Sequence, residues 1–418
     1  MNDCHIQQWV NSRSLISKTD LDEIYKNVDM TTEKLIRPKE VINHTFSYER
    51  HIQIPEKIKE FYSYIGRPTP LRRAFMLEKY LGNNNKIYIK REDLLPNGSF
   101  KINLIAPQVY FGAEEGRTLA IAETSAGHVG VATAVASNYF GINCLILMTD
   151  KSYIQKPYRR YMMELYNAKV WSSPSKFTDI GRSMYNGKLQ GSIAKATSEV
   201  LELVKKDRKS FKISGSLTDQ TLTYNSVVGS EAMLQLKRDT GKALPDVVMC
   251  CVGGGASFGG LTVPLLAEDD GNMEVIAVES SVIPTLTKGE YRYEFKDSNK
   301  QLASIKMYSL GTEYKIPEMY ATGLTYHAAS PIISYFVGNR RITPYAVTEE
   351  EALEAAHIIA RTEGIIIAPE SSYTMAQLIK VSTMRKNKTI LSCFTGSGLL
   401  DLPVLVGAQL PVTQMSAS

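Results

Sequence analysis

Lys90-Arg91-Glu92-Asp93-Leu94-Leu95-Pro96-Asn97-Gly98-Ser99-Phe100-Lys101-Ile102-Asn103 carries the chain from a strand through a polar turn into a helix. The strand is Lys86-Ile87-Tyr88-Ile89-Lys90, Pro96 and Gly98 punctuate the turn, and the helical pattern opens at Lys101. Working outward, the same alternation recurs. Strands read at 118–122, 143–148 and 169–171, with helices over about 127–139 and 154–167. Helical patterns fill roughly 189–205 and 218–238. The alternation resumes with strands at 246–252 and 273–278, a helix after Ser257, helices over 349–362 and 370–381, and a strand at 389–394. Near-continuous apolar strands separated by helices predict an α/β protein whose mostly parallel sheets are covered on both faces.

A chain of 418 residues can form two domains or one double-layered unit. Residues 1–65 read as polar and irregular, with short helical patterns such as 55–65. Residues 284–345 interrupt the alternation with a Tyr-, Gly- and Pro-rich stretch, which such folds place over the site. The net charge of +5 is interspersed with acidic residues, so nothing points to nucleic acid. The densest basic spot, Tyr158-Arg159-Arg160-Tyr161, reads as a solvated helix face. Cys144, Cys250, Cys251 and Cys393 lie in apolar runs and Cys4 near the terminus, which predicts buried thiols in a reducing compartment. No Cys or His spacing suggests a metal. With no leader-like start and no membrane-length apolar window, the reading is cytoplasmic.

Ligands of open α/β sheets sit at the carboxyl ends of strands. Four segments fall there: 97–103, 123–130, 253–257 and 395–398. A helix N-terminus disfavours an extra cation, so Lys101 in a desolvating cleft becomes a nucleophilic amine. Gly253-Gly254-Gly255-Ala256-Ser257 follows an apolar strand and can converge N–H groups on an anion. A carbonyl at one end and a phosphate at the other describe pyridoxal phosphate. The rival is a dinucleotide loop with Glu274 or Glu279 on the ribose, although the pattern is not GxGxxG. In Glu123-Thr124-Ser125-Ala126-Gly127-His128 a carboxylate ends a strand, and small residues open a helix that can hold a substrate carboxylate. Taken alone, Glu123 is a solvated strand end and His128 a helix-face histidine bonded to backbone. In Thr395-Gly396-Ser397-Gly398 a neutral hydroxyl against a pyridine nitrogen would favour β-elimination and β-replacement over long-lived carbanions.

Together these segments resemble the β subunit of tryptophan synthase, a fold-type II pyridoxal phosphate enzyme, in its longer stand-alone variety. Gly66-Arg67-Pro68-Thr69-Pro70-Leu71, Gln155-Lys156-Pro157-Tyr158-Arg159-Arg160, Pro284-Thr285-Leu286-Thr287-Lys288-Gly289-Glu290-Tyr291-Arg292-Tyr293, Arg361-Thr362-Glu363-Gly364-Ile365-Ile366 and Ala368-Pro369-Glu370-Ser371-Ser372 carry the likeness, which runs to Asp401-Leu402. It implies two three-layer α/β domains with the site between them. Residues 1–66 plus 101–230 form one and 67–100 plus 231–410 the other, with a tail at 411–418 and a mobile subdomain at about 116–215. Lys101 is implied as the Schiff-base lysine and Glu123 as the acid/base. Thr124, Ser125, Ala126, Gly127 and His128 would hold the substrate carboxylate. Ser216, Gly253, Gly254, Gly255, Ala256 and Ser257 would hold the phosphate, with Thr395 at the pyridine nitrogen and Glu370 near the ring. The implied cofactors are pyridoxal 5′-phosphate and, secondarily, a monovalent cation; the implied assembly is a homodimer.

The implied reaction removes a β-leaving group from serine or a serine-like amino acid and adds indole, or an indole-like carbon nucleophile, to the resulting aminoacrylate. Phe100, Ser125, His128, Ser257 and Thr325 depart from the family's histidine, glycine, glutamine, asparagine and aspartate or arginine. Thr325 would meet the leaving group, so these departures bear on the substrates more than on the cofactor. The alternatives are a serine/threonine dehydratase, another β-substituted alanine synthase, and a non-catalytic binding protein of the same fold. A large apolar acceptor pocket would speak against the dehydratase, and the presence of both Lys101 and Glu123 against the binding protein.

Overall fold

Chain order sorts the strands between two principal sheets in the structure, a computed structural model that describes residues 6–185, 191–317 and 319–407. Strands β1 (Gln8–Val10) and β2 (His51–Gln53) pair antiparallel near the N-terminus. Next, β3 (Leu71–Arg73) and β4 (Lys86–Arg91) begin a large sheet. The following four strands, β5 (Leu119–Thr124), β6 (Asn143–Thr149), β7 (Lys169–Ser173) and β8 (Ser210–Lys212), form a smaller parallel sheet in the order β7-β6-β5-β8. The chain then returns to the large sheet with β9 (Val247–Cys251) and β10 (Glu274–Ser280). After an antiparallel pair, β11 (Glu290–Glu294) and β12 (Ile305–Ser309), it completes that sheet with β13 (Thr343–Val347) and β14 (Thr389–Phe394). The large sheet has the order β13-β10-β9-β14-β4-β3, and only the edge strand β3 runs antiparallel to its neighbour.

Strand β9 is buried along its whole length, as a parallel strand covered on both faces must be. Helix Pro369–Met384 packs on it, while helices Lys101–Glu114 and His128–Phe140 pack on each other, the latter also against β5. A buried ionic network fixes the approach to Lys101. Arg67 bridges Glu92 and Glu231 at 2.9 and 2.8 Å, and Lys90 Nζ reaches Glu231 at 2.6 Å and Gln235 at 2.9 Å. Removing one charge from such a set costs about 3–5 kcal/mol, because its partners stay buried and unpaired.

Several expectations change. Residues 6–65 are packed rather than irregular: helices Lys18–Ile24, Met30–Ile36, Lys39–Phe46 and Glu56–Tyr64 each bury an apolar face, and Trp9, Leu21, Ile36 and Phe61 are fully enclosed. The last of these matches the helical pattern read over 55–65, whereas the first three are too short for their periodicity to stand out in the sequence. The helix read over 154–167 is two, Asp150–Gln155 and Pro157–Leu165, because Pro157 cannot continue the preceding turn. Strands β3, β8 and β13 lacked a strand signal; β13 contains Pro344 and lies at an edge, where a missing N–H is tolerated. The tail at 411–418 and Cys4 fall outside the described residues, and the other four cysteines are buried free thiols. Among the described residues no helix is long and apolar enough to cross a membrane, and no cluster of three or more His, Cys, Asp or Glu could hold a metal ion.

Candidate active site

Gly98, at φ +73°, reverses the chain so that the helix Lys101–Glu114 begins with its lysine facing a cleft of about 460 Å³. Lys101 Nζ donates to the Gly215 carbonyl at 2.5 Å and stands 4.8 Å from the centroid of the Phe100 ring. Burial lowers its pKa to about 7, against the opposing pull of Cys251 and Glu370. The amine is therefore largely uncharged just above neutrality, the condition a nucleophilic lysine needs.

The same cleft is lined by Ser216, by Gly253, Gly254, Gly255, Ala256 and Ser257, and by Glu370 and Thr395. Gly255 holds φ +99° as it caps helix Ala256–Glu268, a conformation that favours glycine. A Cβ on Gly254 would stand 2.8 Å from Ser216 Cβ, so the turn must be bare there. Among the described residues Ser216 Oγ is buried without a hydrogen-bond partner, which is costly unless an acceptor arrives. Ser257 Oγ instead donates to the Cys251 carbonyl at 3.3 Å. Thr395 Oγ1 lies 3.0 Å from Ser371 Oγ, and Glu370 Oε1 accepts the Gly323 N–H at 2.8 Å, drawing the 322–326 turn over the cleft. An amine whose pKa burial lowers to about 7, a bare glycine turn at a helix N-terminus and an orphan hydroxyl fit pyridoxal phosphate. Glu279 accepts from the Leu286 and Thr287 N–H groups and Glu274 pairs with Arg385, so neither is free for a ribose.

Glu123 lies next to the end of β5 rather than in solvent. Both of its oxygens stand 2.5 Å from Lys212 Nζ on β8. Burial lowers the Lys212 pKa while Glu123 raises it. Glu123, Thr124 and Ser125 line a second cleft of about 520 Å³ that shares Ser216 and Tyr326 with the first. Its walls are part apolar, with Val129, Ile193, Leu217 and Leu302, and part cationic, with Arg37, Lys212 and Lys296. The loop between the clefts is shaped by Gly127, at φ +97°, whose N–H donates to Thr124 Oγ1 at 3.1 Å before helix His128–Phe140 begins. Ala126 and Gly127 are buried and line neither cleft. Thr325 reaches the loop, not the cleft walls: its Oγ1 donates to the Thr322 carbonyl at 2.6 Å and lies 3.5 Å from Ser125 Oγ.

Two readings of the residues taken alone are corrected. Among the described residues the His128 ring bonds to a side chain rather than to backbone: its Nε2 accepts from Arg159 Nη2 at 3.3 Å, and burial and Arg159 hold its pKa well below the usual value. Tyr158 and Tyr161 are exposed as a solvated face requires, but Arg159 is 2% exposed and pairs with Asp401 at 2.6 Å. Arg37, Lys212, Lys296 and Tyr326 were not anticipated as site residues. Only Lys212 left a signal, as a lysine within the apolar run Phe211-Lys212-Ile213.

Residues 62–396 match the family model described as "Pyridoxal-phosphate dependent enzyme". The chain is 41% identical over 375 residues, 88% of each chain, to "Tryptophan synthase beta chain 1" of Sulfurisphaera tokodaii. It is 40% identical over 389 residues to "Tryptophan synthase beta chain 2" of Pyrococcus furiosus, covering 91% of this chain and 86% of that one. Among solved structures, a threonine deaminase from T.th. superposes with a TM-score of 0.62 at 19% identity, over 82% of this chain and 97% of that one, a likeness of fold alone.

Proposed function

Because the chain belongs to the tryptophan synthase β family of pyridoxal-phosphate-dependent enzymes, we propose that it replaces the β-substituent of serine or a serine-like amino acid with indole or an indole-like carbon nucleophile, giving tryptophan or an analogue. The observation that carries this reading is that Lys101 and Glu123 open onto adjoining clefts sharing Ser216 and Tyr326. A nucleophilic amine and a carboxylate thus serve one substrate.

Bound pyridoxal phosphate supplies an electron sink at the α-carbon. In the proposal Gly253 to Ser257 and Ser216 hold its phosphate, Thr395 presents a neutral hydroxyl to its ring nitrogen, and Glu370 stands near the ring. Lys101 binds the aldehyde and then moves the α-proton. The loop from Thr124 to His128 orients the substrate carboxylate on backbone N–H groups at the helix N-terminus. Glu123 delivers a proton to the departing β-group and withdraws one from the incoming nucleophile, and Lys212 fixes its orientation. Thr325 acts through Ser125. The proposal includes division into 1–66 plus 101–230 and 67–100 plus 231–410, which the sheet membership of β3 to β14 supports. Homodimer assembly, closure of about 116–215 over the site and a cytoplasmic location rest on the family and sequence alone.

Serine, threonine and phosphoserine, each paired with indole, a thiol or water and read by mass spectrometry, test the proposal. Serine with indole should yield tryptophan, and Lys101→Ala should yield none. Release of keto acid and ammonia alone would overturn the reading in favour of a dehydratase, and normal turnover by Lys101→Ala would remove that residue from its role.

A further inference from the structure

The second cleft holds more positive charge than a neutral indole requires. Lys296 lines it at 8% exposure and makes no hydrogen bond or ion pair among the described residues. Arg37, 2% exposed, stands 2.8 Å from Glu33 through Nε, yet its Nη1 is buried with no hydrogen-bond partner among those residues. Thr218 Oγ1, on the same wall, is also unpartnered among them. The nearby carboxylates are committed elsewhere. Glu123 is held by Lys212, and Asp219 by Arg13 at 3.0 Å and Tyr25 at 2.5 Å. Asp297 accepts from the Gln301 and Leu302 N–H groups and Ser198.

A buried cation without a partner is costly, and Lys296, with the unsatisfied Nη1 of Arg37 lining the same cavity, describes a place for an anion. Val129, Leu217 and Leu302 on the same walls suit a flat apolar body. We propose that this cleft is an anion-binding acceptor site, and that the incoming nucleophile is an aromatic molecule bearing a carboxylate or phosphate that Lys296 and Arg37 hold while Glu123 meets its reacting atom. The inference rests on the proposed β-replacement for the identity of the occupant, but the anion site stands or falls on binding alone.

Calorimetry on the cofactor-loaded protein provides the test, with indole, indole carboxylates substituted on the benzo ring, and inorganic phosphate as probes. A carboxylate should bind about ten- to a hundredfold more tightly than indole, the worth of a charge-assisted hydrogen bond. Lys296→Met should erase that preference and Lys296→Arg should retain it; Lys296→Gln replaces the Met variant if thermal melting shows misfolding. With serine fixed as donor, kcat/KM for the carboxylated acceptor over indole should follow the same order. Equal binding of indole and its carboxylates, or a preference that survives loss of Lys296, overturns the proposal. So does a Lys296 effect confined to phosphoserine over serine, which would assign the cations to the departing group. Anion binding dependent on Lys296 without any product would sustain the site and refute the β-replacement.

Discussion

Lys101 should behave as an amine that loses its proton near neutrality, and this can be measured before any catalysis. Its pKa falls from the ordinary 10.5 to about 7 through burial. At pH 7 about one-half of it is then free base, against roughly one part in three thousand for an unshifted lysine. Cofactor-free protein mixed with pyridoxal phosphate, followed by absorbance, should capture it at a rate that rises to about pH 7–8 and then levels. The thermodynamic counterpart has a definite sign. Between about pH 7 and 10.5 the folded cofactor-free protein binds fewer protons at this site than the unfolded chain does, so stability rises with pH across that window. Below it both states are protonated and the full penalty applies. At about 1.4 kcal/mol per pKa unit the penalty is at most about 5 kcal/mol. Relative to Lys101→Met, the wild-type protein in urea should therefore be several kcal/mol less stable at pH 6, the gap closing towards pH 10. Capture that keeps accelerating tenfold per pH unit through pH 9, together with a pH-independent stability difference, would refute the reasoning.

Two further outcomes follow from the clefts. Gly254→Ala puts a methyl group against Ser216 where the phosphate should rest, and should weaken cofactor affinity about tenfold or more, at a few kcal/mol for a strained contact; an unchanged dissociation constant in equilibrium dialysis would contradict the assignment. Lys212→Met leaves the Glu123 carboxylate without its partner and should cost about 3–5 kcal/mol, which Lys212→Met with Glu123→Gln should largely restore in denaturant melts while turnover stays at least about a hundredfold down; recovery of turnover in the double variant would remove Glu123 from the chemistry.

The sequence carried the alternation of strands and helices because apolar runs and Gly/Pro punctuation are local. It equally offered the 253–257 turn, Thr395 and Glu123 as candidates, since each is the first polar or glycine position after an apolar strand, and Lys101 as the residue that opens the helix after the Pro96–Gly98 turn. It read the helix at 55–65 but missed those between residues 18 and 46, whose buried faces exist only because the body supplies a partner surface. Arg159 deceived for the same reason: two flanking exposed tyrosines suggest a solvated face, and only Asp401, far along the chain, makes burial of the arginine tolerable.

Local patterning by itself thus indicated the fold class, and the order of the longer motifs indicated the family, which the comparisons bear out. What lies beside Glu123 was decided only by folding. Arg37 follows an N-terminal helix, Lys212 ends β8, and Lys296 sits in the turn between β11 and β12. No spacing links them, and apart from Lys212, which interrupts an apolar run, each alone reads as a surface cation. Burial of all three around one cavity is a property of tertiary packing, because only there does removal from water turn separate charges into one cationic wall.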